Sequence, residues 1–216
     1  LTGYLAMDLS KSMGFTYRQE LTKFDYSICL AAALCYLMIH QQDPVGLVTF
    51  DEKIRHCLPP KSRRSQLANV LSHLSQLKPD GQTNIAQSLG QLAAMLKQRS
   101  LVMVFSDFLS ESQPVFESLR RLRHGGHDVI LFHVLDESEV TFPFDGMVEL
   151  QDPESEETLV VEAAGFRQDY ATQIDTFRSE YQSECQNIGV DYVPLDTSMQ
   201  FDRALMEYLL SRRSRY

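Results

Sequence analysis

The stretch YLAMDLSKS, residues 4–12, decides the fold of this chain and contains its most informative residues. Its apolar half, residues 4–7, predicts a short buried strand. The motif Asp-x-Ser-x-Ser follows directly, so one carboxylate and two hydroxyls share a tight turn at the end of that strand. Such hard oxygen ligands suit Mg²⁺, Mn²⁺ or Ca²⁺ better than zinc. The sequence therefore predicts part of a divalent-cation site here.

Composition limits the classes of protein to which the chain can belong. It has 216 residues, of which 44% are hydrophobic, so one folded domain with a substantial core is the default. A net charge of −9 argues against a protein that binds nucleic acid through bulk electrostatics. The longest apolar stretch, residues 28–39, is too short to span a membrane. We expect no nucleic-acid partner and no membrane segment.

The cysteines and the first residue give two further expectations. Cys29, Cys35, Cys57 and Cys185 show no paired spacing, which favours buried, reduced thiols and a cytoplasmic location. The chain opens at Leu1 with almost no residues before its first strand. We therefore expect an upstream segment to be missing.

Predicted strands and helices alternate along most of the chain. This order is typical of an α/β fold with a doubly wound, mostly parallel sheet of about six strands and helices on both faces. Residues 54–58 follow strand 45–50 too closely for a crossover, so they predict one antiparallel edge strand. The other predicted strands are 4–7, 101–105, 128–135 and 191–195. The predicted helices are 24–40, 62–77, 84–98 and 201–210. One more predicted helix is capped by Ser112 and ended by Gly125-Gly126.

The regular alternation is interrupted after the fifth strand. Residues 147–150 and 158–161 predict a small hairpin around an acidic turn. A long helix follows, whose apolar residues from Phe166 to Cys185 recur at helical spacing and are expected to pack on the sheet. We predict a single domain, 1–216, with an inserted hairpin and helix at about 137–187.

Two other segments can complete the cation site. In a doubly wound sheet, ligands bind at the carboxyl ends of strands where the crossovers leave in opposite directions. Asp107 follows the strand 101–105, and the loop 80–84 brings Thr83 to the start of its helix. The predicted metal ligands are Asp8, Ser10, Ser12, Thr83 and Asp107. With water or an incoming ligand at the remaining coordination positions, this ligand set would suit Mg²⁺ best, with Mn²⁺ or Ca²⁺ as alternatives.

Each of these residues also has a purely local explanation. Asp8 or Ser10 could cap the loop that follows, Thr83 could be a helix N-cap, and Asp107 could cap the segment after its strand. The metal interpretation is favoured because three separate segments bring hard ligands to the place where the fold predicts a site.

The same pattern resembles the von Willebrand factor A domain and its metal-ion-dependent adhesion site. The family motif is Asp-x-Ser-x-Ser, a distant Thr and a distant Asp, and all of its positions are present here. The resemblance implies that the serines and the threonine bind the ion directly and that the aspartates bind it directly or through water. It also implies that a carboxylate from a protein partner completes the coordination shell.

A more specific resemblance covers nearly the whole chain. Several segments look like the bacterial domain-of-unknown-function family fifty-eight, which implies a von Willebrand A-like core. Members are often encoded beside MoxR-type AAA+ ATPases, and they usually carry a further segment before the first strand. The segments are Val45-Gly46-Leu47, Gly81-Gln82-Thr83-Asn84-Ile85, Phe105-Ser106-Asp107-Phe108, Thr141-Phe142-Pro143-Phe144-Asp145-Gly146 and Gly189-Val190-Asp191-Tyr192.

Together these features predict a metal-dependent protein–protein interaction module and not an enzyme. The resemblance implies an adaptor or partner of a MoxR-type AAA+ ATPase, or of its substrate, that binds an acidic residue through the cation. The alternative is a metal-dependent phosphatase or hydrolase. Haloacid-type phosphatases, however, need a second Asp where this chain has Ser10, and no phosphate loop or nucleophile elbow is present.

Overall fold

A central sheet organises the chain. The computed structural model describes residues 1–152 and 157–213, apart from the side chains of 211–213. The strands are β1 Gly3–Asp8, β2 Val45–Phe50, β3 Ile54–Lys61, β4 Leu101–Ser106, β5 Asp128–Leu135, β6 Met147–Gln151, β7 Thr158–Glu162 and β8 Asp191–Asp196. The helices are α1 Lys23–His40, α2 Arg64–Leu74, α3 Ile85–Met95, α4 Ser112–His124, α5 Glu137–Thr141, α6 Ala163–Ile188 and α7 Phe201–Arg213.

Six strands form the main sheet in the order β3-β2-β1-β4-β5-β8. All neighbours pair in parallel except β3, which runs antiparallel to β2 at one edge. The chain moves from β1 to β2 on one side and later returns to β4 on the other. The switch point therefore lies between β1 and β4. The predicted doubly wound sheet with one antiparallel edge strand is confirmed.

The core has two layers, one on each face of the sheet. Helices α1, α2 and α7 pack on one face, and α3, α4 and α6 pack on the other. Along β1, Leu5 and Met7 belong to the first layer and Ala6 to the second, as the alternation of side chains in a strand requires. Burial on both faces explains why these strands read as continuous apolar runs.

The start of α1 is fixed by a capping box. The Thr22 hydroxyl accepts a hydrogen bond from the Asp25 backbone N–H at 3.0 Å, and the Thr22 N–H donates to the Asp25 carboxylate at 3.3 Å. Such reciprocal bonds satisfy helix-end donors that would otherwise lack partners. They hold Lys23 at the first position of the helix, with its side chain fully buried.

Some expectations from the sequence were wrong. Ser112 does not cap α4, because the N-cap is Glu111 and the Ser112 hydroxyl donates instead to Glu180 of α6 at 2.8 Å. The four cysteines are free, as expected, but Cys57 is exposed and Cys29 is only partly buried. Helix α5, which has five residues, was not predicted.

The segment after β5 contains the predicted hairpin, β6–β7, and the long helix α6. Residues 153–156 of the hairpin turn lie outside the described part of the chain. Only the second half of α6 packs into the core, through Tyr181 and Cys185. Phe166 and Tyr170 in its first half contact Phe142 instead of the sheet. The domain boundaries stay a prediction.

Within residues 1–152 and 157–213 we find no helix with the length and apolar character needed to cross a membrane.

The buried hydroxyl of Tyr181 gives a test of the core. It has no hydrogen-bond partner among the described residues, and burying an unpaired polar group costs about 1–3 kcal/mol. We expect Tyr181→Phe to raise the free energy of unfolding by about 1 kcal/mol, measured by urea denaturation. The control Tyr192→Phe should lower it, because the Tyr192 hydroxyl bonds the His133 ring at 2.7 Å. Equal destabilisation by both variants would contradict this packing.

Candidate metal centre

Two buried aspartates meet at the switch point of the sheet. Asp8 ends β1, and Asp107 directly follows the neighbouring strand β4. One carboxylate oxygen of Asp8 accepts a hydrogen bond from the Ser106 hydroxyl at 2.6 Å, and the other accepts one from the Ser10 backbone N–H at 2.8 Å. Asp8 is therefore held in place before any ligand binds.

The two serines of the first turn present their hydroxyls to the same place. The Ser10 and Ser12 hydroxyl oxygens lie 3.2 Å apart, and the Ser12 side chain helps to lower the pKa of Asp107. Ser10 precedes a single 3₁₀ turn, Lys11–Gly14, but its side chain makes no capping bond to that turn. The local explanation of the Ser10 hydroxyl as a cap is therefore wrong.

The loop that carries Thr83 is attached to this turn by its backbone. The Lys11 N–H donates to the carbonyl of Gly81 at 2.8 Å, and the Gly81 N–H donates to the carbonyl of Leu9 at 3.0 Å. Thr83 follows two residues later and is half-buried. The N-cap of α3 is Asn84, whose side chain accepts the N3 backbone bond, so Thr83 is not needed for capping.

The electrostatics of the two aspartates differ because, among the described side chains, only Asp107 has a cationic partner. Burial and the nearby charge of Asp107 raise the pKa of Asp8 to about 7, against the opposing effect of the bonds from Ser106 and Ser10. Burial also acts to raise the pKa of Asp107, but the ammonium of Lys23 outweighs it and lowers that pKa. Asp8 thus lacks a positive charge to stabilise its ionised form.

Lys23 is a buried residue beside this centre that sequence reasoning missed. Its Nζ donates to Asp107 Oδ2 and to Glu139 Oε1, both at 2.7 Å, and its side chain is 0% exposed. The available signal was the capping box at Thr22, which fixes the helix start and so places a charged residue on its first turn.

Glu139 was also missed, because it lies on the short helix α5. Its second carboxylate oxygen accepts a bond from the Asp136 backbone N–H at 2.7 Å and closes a capping box. Burial raises the pKa of Glu139, although Lys23 opposes that shift. Two carboxylates, those of Asp107 and Glu139, therefore share one ammonium, and Lys23 makes no bond to the third, that of Asp8. The centre has an excess of negative charge in a poorly solvated place.

The donor set fits a hard divalent cation. The structure brings together Asp8, Ser10, Ser12 and Asp107, and attaches the loop of Thr83 to them. The described residues hold no metal-suited cluster of three or more His, Cys, Asp or Glu side chains. Only two predicted ligands are carboxylates and the rest are hydroxyls, so the set is one that oxygen-seeking ions prefer. The ligand set itself stays a prediction.

Comparison with known families gives one match that covers most of the chain. A family model described as "Protein of unknown function DUF58" matches residues 1–180. An uncharacterized protein of Mycobacterium tuberculosis and one of Mycobacterium bovis are each 26% identical over 222 residues. Each alignment covers 99% of this chain and 68% of the relative.

Solved structures share the fold. The conserved hypothetical protein BatB from Bacteroides thetaiotaomicron superposes with a TM-score of 0.63 at 15% identity and 100% coverage of both chains. An aerotolerance-related membrane protein from Bacteroides fragilis gives 0.65 at 15% identity and 96% coverage of both. The SpRpn10 VWA domain gives 0.54 at 14% identity, covering 95% of this chain and 93% of that domain. These similarities show a von Willebrand A-like fold.

Replacing Lys23 tests the charge arrangement. We expect Lys23→Met to lower the free energy of unfolding by about 3–5 kcal/mol without added metal, because it leaves Asp107 and Glu139 without their buried counter-ion. Lys53→Met, at an exposed turn, serves as the control and should change it by less than about 0.5 kcal/mol. Equal stability of the two variants in chemical denaturation would contradict the buried ion pairs of Lys23 with Asp107 and Glu139.

Proposed function

The chain belongs to the DUF58 family, and from this premise we propose that it is a protein-interaction module whose contact point is a bound divalent cation. A von Willebrand A-like fold is in keeping with an interaction module. The proposal adds a metal, a ligand set and a class of partner.

The observation that carries the proposal is the buried pair Asp8 and Asp107, with an excess of negative charge and hydroxyls beside it. A cation would relieve the unfavourable burial of Asp8, which Lys23 does not contact directly. We propose that Asp8, Ser10, Ser12, Thr83 and Asp107 hold Mg²⁺, with Mn²⁺ or Ca²⁺ as substitutes. When bound, the ion supplies a positive acceptor for a carboxylate of the partner.

The proposed partner is a MoxR-type AAA+ ATPase or its substrate, in the cytoplasm. The support is the family resemblance together with the site chemistry, which suits an acidic side chain. The module is proposed to be non-catalytic, because the Ser10 and Ser12 hydroxyls lie within hydrogen-bond distance of each other and neither bonds a histidine in the described part of the chain. A hydroxyl without an activating base is a poor nucleophile.

Metal binding has a direct thermodynamic consequence. We expect Mg²⁺ to raise the melting temperature, with about 2.7 kcal/mol of stabilisation at a hundredfold excess over Kd. Asp8→Asn and Ser10→Ala should each abolish the shift, whereas the exposed control Asp169→Asn should keep it. An unchanged melting temperature in wild type, or a full shift in Asp8→Asn, would contradict the proposal. Turnover of a phosphate ester that is lost in Asp8→Ala would favour the hydrolase alternative.

Partner binding can be measured with purified components. We expect a MoxR-type ATPase encoded beside this protein to bind in Mg²⁺ and to lose at least about tenfold in affinity in EDTA, a change of about 1.4 kcal/mol. In Mg²⁺, Asp8→Asn should bind the ATPase as weakly as wild type binds it in EDTA. Binding that is equally tight in EDTA would exclude a cation-mediated contact.

A further inference from the structure

An apolar groove begins at the candidate metal centre. We call it the aromatic groove: it has a volume of about 470 Å³ and extends from Ser12 and Leu109 to strand β6. Leu109, Phe15 and Tyr17 line its opening and are 45%, 39% and 41% exposed. Large apolar side chains exposed together beside a polar site are typical of an interaction surface.

One wall of the aromatic groove is a rigid cluster of rings. The Phe142 ring lies 4.7 Å from that of Tyr170 and 5.0 Å from that of Phe144, and Phe144 lies 4.8 Å from Tyr17. Arg167 fixes the segment by donating to the carbonyl of Phe144 at 2.6 Å. The wall is therefore formed before any ligand binds, so little ordering entropy opposes binding.

The opposite wall is the edge of a strand. Residues 148–151 of β6 all line the groove, although successive side chains of a strand point to opposite faces. Four consecutive lining residues mean that the groove follows the backbone of β6. In the described part of the chain β6 pairs only with β7, so its other edge is available for a further strand. A two-stranded hairpin is marginally stable by itself and gains from a third strand.

The charges of the groove restrict its occupant. A cation at the metal centre would attract a carboxylate at one end. Near the other end, exposed Glu149 lines the groove, and the whole chain carries a net charge of −9. A uniformly acidic segment would therefore be repelled, whereas a segment with one acidic end and one basic residue near Glu149 would complement both ends.

We propose that the aromatic groove binds an extended segment of a partner protein that adds as a third strand to β6. Its carboxylate reaches the cation beside Ser12, its bulky apolar side chains pack on Tyr17 and Phe144, and a Lys or Arg lies beside Glu149. This inference rests on the proposed metal-dependent function and adds the class of sequence recognised. Strand addition supplies backbone hydrogen bonds, and the groove supplies selectivity.

The test uses immobilised short random peptides probed with the whole chain in Mg²⁺ and in EDTA. We expect enrichment, in Mg²⁺ only, of peptides with an Asp or Glu followed by bulky apolar residues and then a Lys or Arg. Tyr17→Ala should weaken binding of the enriched peptide by at least about tenfold. Tyr36→Ala, which changes a more exposed tyrosine on α1, should not weaken it. N-methylation of alternate peptide N–H groups should also abolish binding, because it removes strand hydrogen bonds.

The outcomes separate this inference from the metal proposal. If Mg²⁺ raises the melting temperature but no peptide is enriched, or the enriched peptide binds Tyr17→Ala as it binds wild type, the groove inference is wrong and the metal proposal stands. If Mg²⁺ has no effect on the melting temperature of wild type, the metal proposal itself fails.

Discussion

Two carboxylates buried side by side at the switch point of a parallel sheet are the constraint on which the rest of this structure depends. Asp8 and Asp107 are placed there by neighbouring strands, and both are buried. Like charges in a poorly solvated place are unfavourable unless cations or hydrogen-bond donors compensate. The surrounding residues are arranged accordingly. Ser106 and the Ser10 backbone donate to Asp8, and Lys23 donates to Asp107.

The bonds of Lys23 also connect the core sheet to the segment between β5 and β8. Lys23 bonds both Asp107 and Glu139, and Glu139 closes the capping box of α5. Phe142, the C-cap of α5, adopts a left-handed conformation at φ 45° and begins the aromatic wall of the groove. A chain of direct contacts therefore runs from the candidate metal centre to the proposed peptide site.

The sequence predicted much of this fold, for identifiable reasons. Strands buried on both faces are continuous apolar runs, so β2 and β5 were predicted with the bounds that the structure has. The paired aspartates were predicted because strand ends at a switch point converge.

Lys23 was missed because a lysine at a helix start usually lies in solvent, and only the tertiary structure buries it between two carboxylates. Glu139 was missed because a five-residue helix leaves no periodic pattern. Ser112 was assigned as a cap because the contact with Glu180 depends on how α6 packs.

The central claim is that the oxygen atoms around Asp8 and Asp107 form a cation site. The most direct measurement is anomalous diffraction from crystals grown with Mn²⁺, since manganese accepts the same hard oxygen ligands and scatters anomalously. The account predicts one strong anomalous peak between the Asp8 turn and Asp107, about 2.0–2.3 Å from the Ser10 and Ser12 hydroxyls, with Lys23 still bonded to Asp107. Fully occupied Mn²⁺ elsewhere on the protein, with no peak beside these hydroxyls, would contradict it.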